Sequence, residues 1–507
     1  MTAKERIAII GAGIGGLSAA IRLQHAGYQV EIFEKESLPG GKMNQIAVDG
    51  YTFDVGPTIV MWPEAYRELF TLTGRDPEDY IPMQKLTPMY DVYFKGDPYR
   101  HYSVSNDLTD LMALMESKDP QTALGFLQYL AEMFERYQVA MDHFIRRPFR
   151  HKSDMYNPSM IVNAFKLKTF DSADHMMAKF IPNKDIQQLM AFQTLYIGVS
   201  PKNGPSLYNM IPMIELLYGI HYVKGGMHTV AKGFAQLFEE LGGFIHYNTP
   251  VDKILIDNQQ VNGLQVGDQF IPSKKVISNA DFPYTMKHLI DGDLNRGKYT
   301  AKKIDQMDYS CSCLVFYWGV DGTFKDLQTH TFIISEDLDD NMARIFDGRL
   351  IDNPSMYLHI PSQVDETRAP EGKSSFYLLM PISELGTAQY DFDESTVQFY
   401  KEKALATLAN LPGLENLESQ IEVERVFTPN DYESHFNAFR GATFGLQPTL
   451  MQSNHFRPQS KAENVSGLYF TGSSTHPGAG VPTVIEGGKI CASELMLDDK
   501  TDGGKTR

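Results

Sequence analysis

Arg6-Ile-Ala-Ile-Ile10-Gly11-Ala-Gly13-Ile-Gly-Gly16 opens a unit that ends at Glu34. The apolar, β-branched run 6–10 reads as a buried strand. It enters a glycine turn and then Leu17–Ala26, helical by composition and spacing. Gly27 ends that helix, Tyr28–Phe33 returns as a second strand, and Glu34 closes it. Gly11 permits the tight turn, Gly13 lets the backbone approach a pyrophosphate, and Gly16 allows helix and strand to pack closely. The helix N-terminus offers unpaired N–H groups and partial positive charge to the same pyrophosphate. Glu34 stands where a carboxylate accepts from a ribose diol and repels a 2′-phosphate. A bare glycine-rich loop would account for the glycines alone, but not for the small helix residues Ala19 and Ala20 or the terminal acid.

Around this unit, 507 residues imply two or three domains. A net charge of −17 excludes the basic surface of a nucleic-acid binder. Cys311, Cys313 and Cys491 cannot build a disulfide framework and have no partners spaced for a zinc site, so no metal is expected. The N-terminus runs almost directly into a strand, and no apolar stretch reaches the ~18–20 residues that span a bilayer. The expectation is an intracellular protein, cytoplasmic with at most peripheral membrane contact.

Further along, Gly40-Gly41-Lys42 lets the backbone pass a bound cofactor while Lys42 reaches its phosphates, a turn that many FAD enzymes place soon after the acid. Tyr51–Met61 reads as a strand entering a Gly-Pro turn. From 66 to 221 helical patterns rich in Met and aromatics dominate (Ala123–Phe144, Ser172–Thr194, Ser206–Ile220), either plain core or the wall of a long apolar ligand site. Within them, Arg146, Arg147, Arg150, Lys152, Lys166 and Lys168 face the single acid Asp154. This basic stretch is either a solvated face or a seat on anionic lipid headgroups with Phe144, Phe149 and Phe165 dipping beneath. Gly225-Gly226-Met227 precedes a helix over 228–241, Asn262-Gly263 signals a hairpin, and Val276–Asp281 reads as a strand ending in polar turn residues. Residues 282–443 carry aromatic, β-branched strands whose apolar face is a candidate tunnel wall. Gly467–Gly487 repeats the strand, glycine turn and helix plan, with Gly472, Gly478 and Gly480 allowing close approach. The tail 498–507 reads as frayed. The organisation expected is α/β: a discontinuous Rossmann-like cofactor domain (1–65, 222–281 and 444–497), a helical cap (66–221) and a mixed-sheet substrate domain (282–443).

The N-terminal fingerprint, Gly40-Gly41-Lys42, Gly225-Gly226-Met227, Val276–Asp281 and Thr475-His476-Pro477-Gly478-Ala479-Gly480, in that order, resemble the bacterial phytoene-desaturase family of FAD enzymes. The similarity runs from Ile7 to about Leu495. Phe53–Met61, Ala191–Gly198, Gly204–Tyr208 and Ile211–Glu215 look most like its C30 branch. The resemblance implies an amine-oxidase-like fold and an FAD-dependent oxidoreductase that desaturates CH–CH bonds of a long apolar polyene. Relatives with the same fold chemistry, a terminal-methyl oxidase, a cis-trans isomerase or a C40 desaturase, stay open as alternatives. It also implies that Gly11, Gly13, Gly16, Glu34, Gly41 and Lys42 hold the ADP half, that Val251 meets the adenine, and that Gly472, Gly480 and Val481 lie near the flavin. Gly472-Ser473 stands where many flavoproteins carry Gly-Asp, so no aspartate contact is expected there. For the proton lost in desaturation Asp154 is the candidate acceptor, against the simpler reading of an ion pair with Lys152. His476 is expected to fix its turn rather than move protons. Because Gly13 must admit a phosphate, Gly13→Val is expected to abolish flavin binding; a purified variant that keeps the yellow absorbance and normal activity would overturn the assignment.

Overall fold

The computed structural model describes residues 6–149, 154, 167, 171–202 and 204–504. Strand Arg6–Ile10 lies at the centre of a five-stranded parallel sheet, between Lys275–Ser278 and Gln29–Phe33, with Leu468–Phe470 and Phe244–His246 at the edges. Both faces are covered, which explains the continuous apolar strands. Alternate residues go to opposite sides. Ile7 and Ile9 pack under helices Ile14–His25, His228–Glu240 and Val481–Gly504, whereas Ala8 and Ile10 meet a cluster containing Val261, Leu264 and Phe282.

A second, seven-stranded sheet runs Ile421–Phe427, Ser312–Asp321, Lys373–Ile382, Met356–His359, His330–Ile334, Tyr90–Phe94, Arg100–Val104. Every neighbouring pair is antiparallel except His330–Ile334 with Tyr90–Phe94. The last two strands belong to the stretch 66–221 expected to be helical. Tyr90-Asp-Val-Tyr-Phe94 carries the aromatic, β-branched composition of a strand, but so short a run is easily lost beside long helical patterns.

Those helical patterns appear with breaks. Pro120–Ala140 continues as a single wide turn over Met141–Ile145. Ser172–Thr194 divides into Ala173–Phe180 and Lys184–Ala191, because Pro182 interrupts it and the Asn183 side chain caps the second helix at Ile186 N (3.2 Å). Two expectations fail outright. The hairpin between Lys253–Asp257 and Gln260–Val266 turns at Asn258-Gln259, both at positive φ. Asn262-Gly263 lies inside the second strand, where Gly263 pairs with Leu255 beside a register shift. Nor is the tail frayed over its described residues: the closing helix runs to Gly504. Asp498 accepts from Tyr469 (2.7 Å) and Lys461 (2.8 Å), while Asp499 accepts from Tyr28 (2.7 Å) and pairs with Lys275. A charged, polar sequence looked unstructured because its partners lie outside the local pattern, from 29 residues away for Tyr469 to 471 for Tyr28.

Candidate active site

The two glycine turns meet edge to edge. A Cβ added at Gly13 would stand 2.6 Å from Asn279 Nδ2, and one at Gly15 would stand 2.7 Å from Asn279 Oδ1 and 3.0 Å from Thr471 Oγ1. A Cβ at Gly488 would stand 2.7 Å from the Gly15 carbonyl oxygen. Ser18 Oγ donates to the Ile485 carbonyl (2.8 Å), tying the first helix to the last. Gly11, Gly472 and Gly480 hold φ of 90°, 127° and 100°, values that favour glycine. Gly41 sits at φ 56° with its own Cβ position 3.6 Å from Gly13 Cα, on the loop that Gly40 anchors through its N–H to Ala12 O (2.9 Å).

Glu34 is buried at the end of its strand, accepting from Ala12 N (2.6 Å) and Glu36 N (2.9 Å). Burial pushes its carboxyl above the usual range, and the two backbone donors oppose that shift. Val251 lines the same end of the cavity. Lys42 also lines it, but its ammonium donates to the Thr443 carbonyl (2.7 Å). Burial lowers its pKa, against the pull of Asp281 and Cys313. The expected reach to a phosphate would need that amine to change partner. His476 behaves as expected of a turn-fixing residue: its N–H donates to Pro458 O (2.8 Å), Nε2 bonds Arg147 O (3.0 Å), and burial lowers the ring to about 4.

From the glycine turns a cavity of about 710 Å³ extends over one face of the second sheet. Register places its wall. Cys313 opposes Pro381, Leu379 opposes Tyr357, and Tyr357 opposes Phe332, so each of four adjacent strands turns one side chain row to the cavity. Tyr137, Met141 and Ile214 supply the opposite side. Three tyrosine hydroxyls from neighbouring strands hold the Gly-Pro loop over this face: Tyr317 donates to Val55 O (2.8 Å), Tyr377 to Gly56 O (3.1 Å), and Tyr357 Oη lies 2.6 Å from Thr58 Oγ1. Tyr357 Oη also lies 2.7 Å from Nδ1 of His330. Burial holds His330 at about 3 and drives His359, stacked on it at 4.7 Å, well below its ordinary value. This part of the wall is therefore neutral.

Several functional residues carried no clear signal in the sequence. Asn279, the peg between the glycine turns, was visible only as part of a motif. Buried Arg368 donates to Gly225 O (2.7 Å) and to Asp54 Oδ2 (3.2 Å), fixing the Gly225-Gly226 turn. Their partners are 314 residues apart for the ion pair and 143 for the carbonyl, beyond any local pattern. At the far end, Gln193 Nε2 donates to Glu215 Oε1 (2.6 Å) and to Tyr90 Oη (3.2 Å), all three fully buried.

Asp154 is not among the described residues lining the cavity. One expectation is corrected here. Phe144 and Phe149 are buried in the core at 2% and 1% exposure, so they do not form a lipid-dipping edge. Arg146 instead lies over the Trp62 ring at 5.6 Å and 3.8 Å from Glu486, and Arg147 is exposed. Arg150, Lys152, Phe165, Lys166 and Lys168 lie outside the described residues.

The residues fit a flavin dinucleotide. No side chain caps the first helix, leaving its leading N–H groups for a ligand. The cradle is one that a single Cβ would fill, and Thr471 Oγ1, on the cavity wall, is buried without a protein partner. A profile of flavin-containing amine oxidoreductases matches residues 14–496. The chain belongs to that family. Its cofactor is FAD. The 4,4′-diapophytoene desaturase (4,4′-diaponeurosporene-forming) of Staphylococcus aureus strain Newman is 43% identical over 97% of this chain and 99% of its own. Among solved structures, an oxidoreductase from Methanosarcina mazei superposes with TM-score 0.64 at 17% identity over 97% of this chain and 100% of its own. A fatty acid isomerase from P. acnes follows the same fold with TM-score 0.57 at 15% identity over 98% and 99%.

Burial raises Glu215 to about 8, so it is a neutral acid at pH 7. A carboxyl raised in the folded state contributes stability that is full below about 4.5 and is lost as pH rises through about 8. Glu215→Gln keeps the amide-compatible hydrogen bonding and cannot ionise. Relative to it, the wild type is expected to lose about 3–5 kcal/mol between pH 5 and pH 9. Parallel thermal unfolding of the two proteins across that range checks this; matched pH profiles would refute it.

Proposed function

We propose that this chain is an FAD-dependent desaturase that introduces conjugated double bonds into 4,4′-diapophytoene, towards 4,4′-diaponeurosporene. The observation that carries the reading is a long apolar cavity continuous with the dinucleotide cradle, crossing four strands and walled by aromatic and aliphatic side chains. The likeness to the staphylococcal desaturases supports it.

Bound FAD supplies the hydride acceptor that removal of hydrogen from an unactivated hydrocarbon requires. Gly11, Gly13, Gly16, Gly41 and Glu34 would hold its ADP half, Val251 its adenine, and Gly472, Gly480 and Val481 its ring end. Lys42, which lines the cavity, would add its ammonium once released from Thr443. The protein's own contribution is positional. The sheet face holds the polyene extended and excludes water. Tyr357, Tyr377 and Phe332 present electron-rich ring faces beside carbon that becomes electron-poor. Neutral His330 and His359 behind them add no positive charge against it.

The substrate is a lipid, so delivery from a bilayer surface goes with this reading. No helix among the described residues is long and apolar enough to cross a membrane. Peripheral contact of the basic stretch around Arg146 and Arg147 with anionic headgroups is part of the proposal.

Two experiments test it. In cells that accumulate 4,4′-diapophytoene, expression of this chain is expected to shift pigment absorption to longer wavelength with loss of hydrogen and no gain of oxygen by mass. An oxygenated product would favour the oxidase reading, an isomer of unchanged mass the isomerase reading, and no change the C40 desaturase reading. Purified protein is expected to sediment with anionic liposomes and to be released by salt. Equal recovery on neutral and anionic vesicles would remove the membrane contact.

A further inference from the structure

The cavity has a definite far end. It starts beside Cys311 and Cys313, next to Lys42 and the glycine turns, and crosses the strands in the order Ser312–Asp321, Lys373–Ile382, Met356–His359, His330–Ile334. Three strand spacings of ~4.8 Å put the last row roughly 14 Å from the first. The next strand in the sheet, Tyr90–Phe94, lines none of it. On that last strand the lining is Phe332 and Ile334, with Leu338 just beyond it, and two rings meet there. Phe332 and Phe192 stand 4.7 Å apart at an interplanar angle of 51°, and both line the cavity. Behind them Tyr90 meets the Phe332 ring edge-on at 5.2 Å. Tyr90 is in turn held by Gln193, which Glu215 holds. Tyr357 covers Phe332 from the side at 4.9 Å. Phe332 is thus braced by Tyr90, itself tied to the fully buried Gln193 and Glu215, and Phe192 packs on Phe332.

We infer that the Phe192–Phe332 pair is the floor that limits how much of an apolar chain can pass beyond the reacting bond, and that it makes the protein select 30-carbon over 40-carbon substrates. This rests on the desaturase reading. The rings are rigid, and the bonds behind them resist displacement, so a longer chain cannot enter by rotating a flexible side chain aside. Truncating one ring opens space bounded by Tyr90, Phe192 and Tyr357, which stays mostly apolar. Ile333 lies between Phe332 and Ile334 on the same strand and turns to the other face of the sheet, so it offers an internal control.

The test uses holoenzyme of wild type, Phe332→Ala, Phe192→Leu and Ile333→Ala, each first checked for flavin content. Turnover is measured on the 30-carbon and 40-carbon phytoene analogues. In parallel, retention of radiolabelled saturated isoprenoid hydrocarbons of the two lengths is measured, which requires no chemistry. The ratio of 40-carbon to 30-carbon turnover, and the corresponding retention ratio, is expected to rise about tenfold or more in Phe332→Ala. Phe192→Leu should move it less, in the same direction, and Ile333→Ala should leave it at the wild-type value. Unchanged ratios in both phenylalanine variants with normal flavin content, or a wild type that retains both lengths equally, would overturn the floor. A wild type that desaturates neither substrate would defeat the desaturase reading, while the retention ratios would still decide the length limit.

Discussion

The structure depends on the near-contact of two stretches of bare backbone. Gly13, Gly15 and Gly488 lie where a single added carbon would approach Asn279, Thr471 or the Gly15 carbonyl at 2.6–3.0 Å. Only because no Cβ stands there can the first helix lie against the last, with Ser18 bonded to Ile485. That approach sets the order of the parallel sheet, since Lys275–Ser278 must fit between the opening strand and Leu468–Phe470. It also leaves the uncapped helix end facing the cavity rather than solvent.

The second sheet answers a different demand, a wall that is apolar without being featureless. Its cavity face carries aromatic rings whose polar atoms are turned to the backbone of the Gly-Pro loop. The hydroxyls of Tyr317, Tyr357 and Tyr377 are each satisfied, which removes the penalty of placing these tyrosines in an apolar lining. Tyr357 serves twice, holding Thr58 on one side and His330 on the other. The buried Asp54–Arg368 pair plays the matching role on the first sheet's side by keeping the Gly225-Gly226 turn in place. Breaking either partner would strand a charge in the interior, at a cost of about 3–5 kcal/mol.

How much of this was legible in the sequence varies by physical cause. The first βαβ unit was plain because every position agrees locally: strand, glycines, small helix residues and acid all lie within a short span. The closing signature was plain for the same reason, and the apolar face of the second sheet followed from the aromatic runs at Cys313–Val320 and Ser375–Met380. What stayed hidden depends on distant partners. Asp498 and Asp499 look like tail residues until Tyr28, Lys275, Lys461 and Tyr469 arrive beside them. Asn262-Gly263 has turn chemistry, yet pairing with both neighbours keeps Gly263 in the ladder and moves the turn to Asn258-Gln259. Phe144 and Phe149 stood in a basic stretch that suggested a surface, but tertiary packing buries them.

The bond from Ser18 to Ile485 spans 467 positions. A ribosome has therefore passed position 485 before the nucleotide cradle can close. Until then the opening helix lacks its cover, and its apolar side must wait in company with other elements or with a chaperone. Assembly of this kind is slow because distant contacts carry a loop-closure penalty before they return any stabilisation. Cofactor capture accordingly follows the docking of the closing helix, and it reports that the two glycine turns have met.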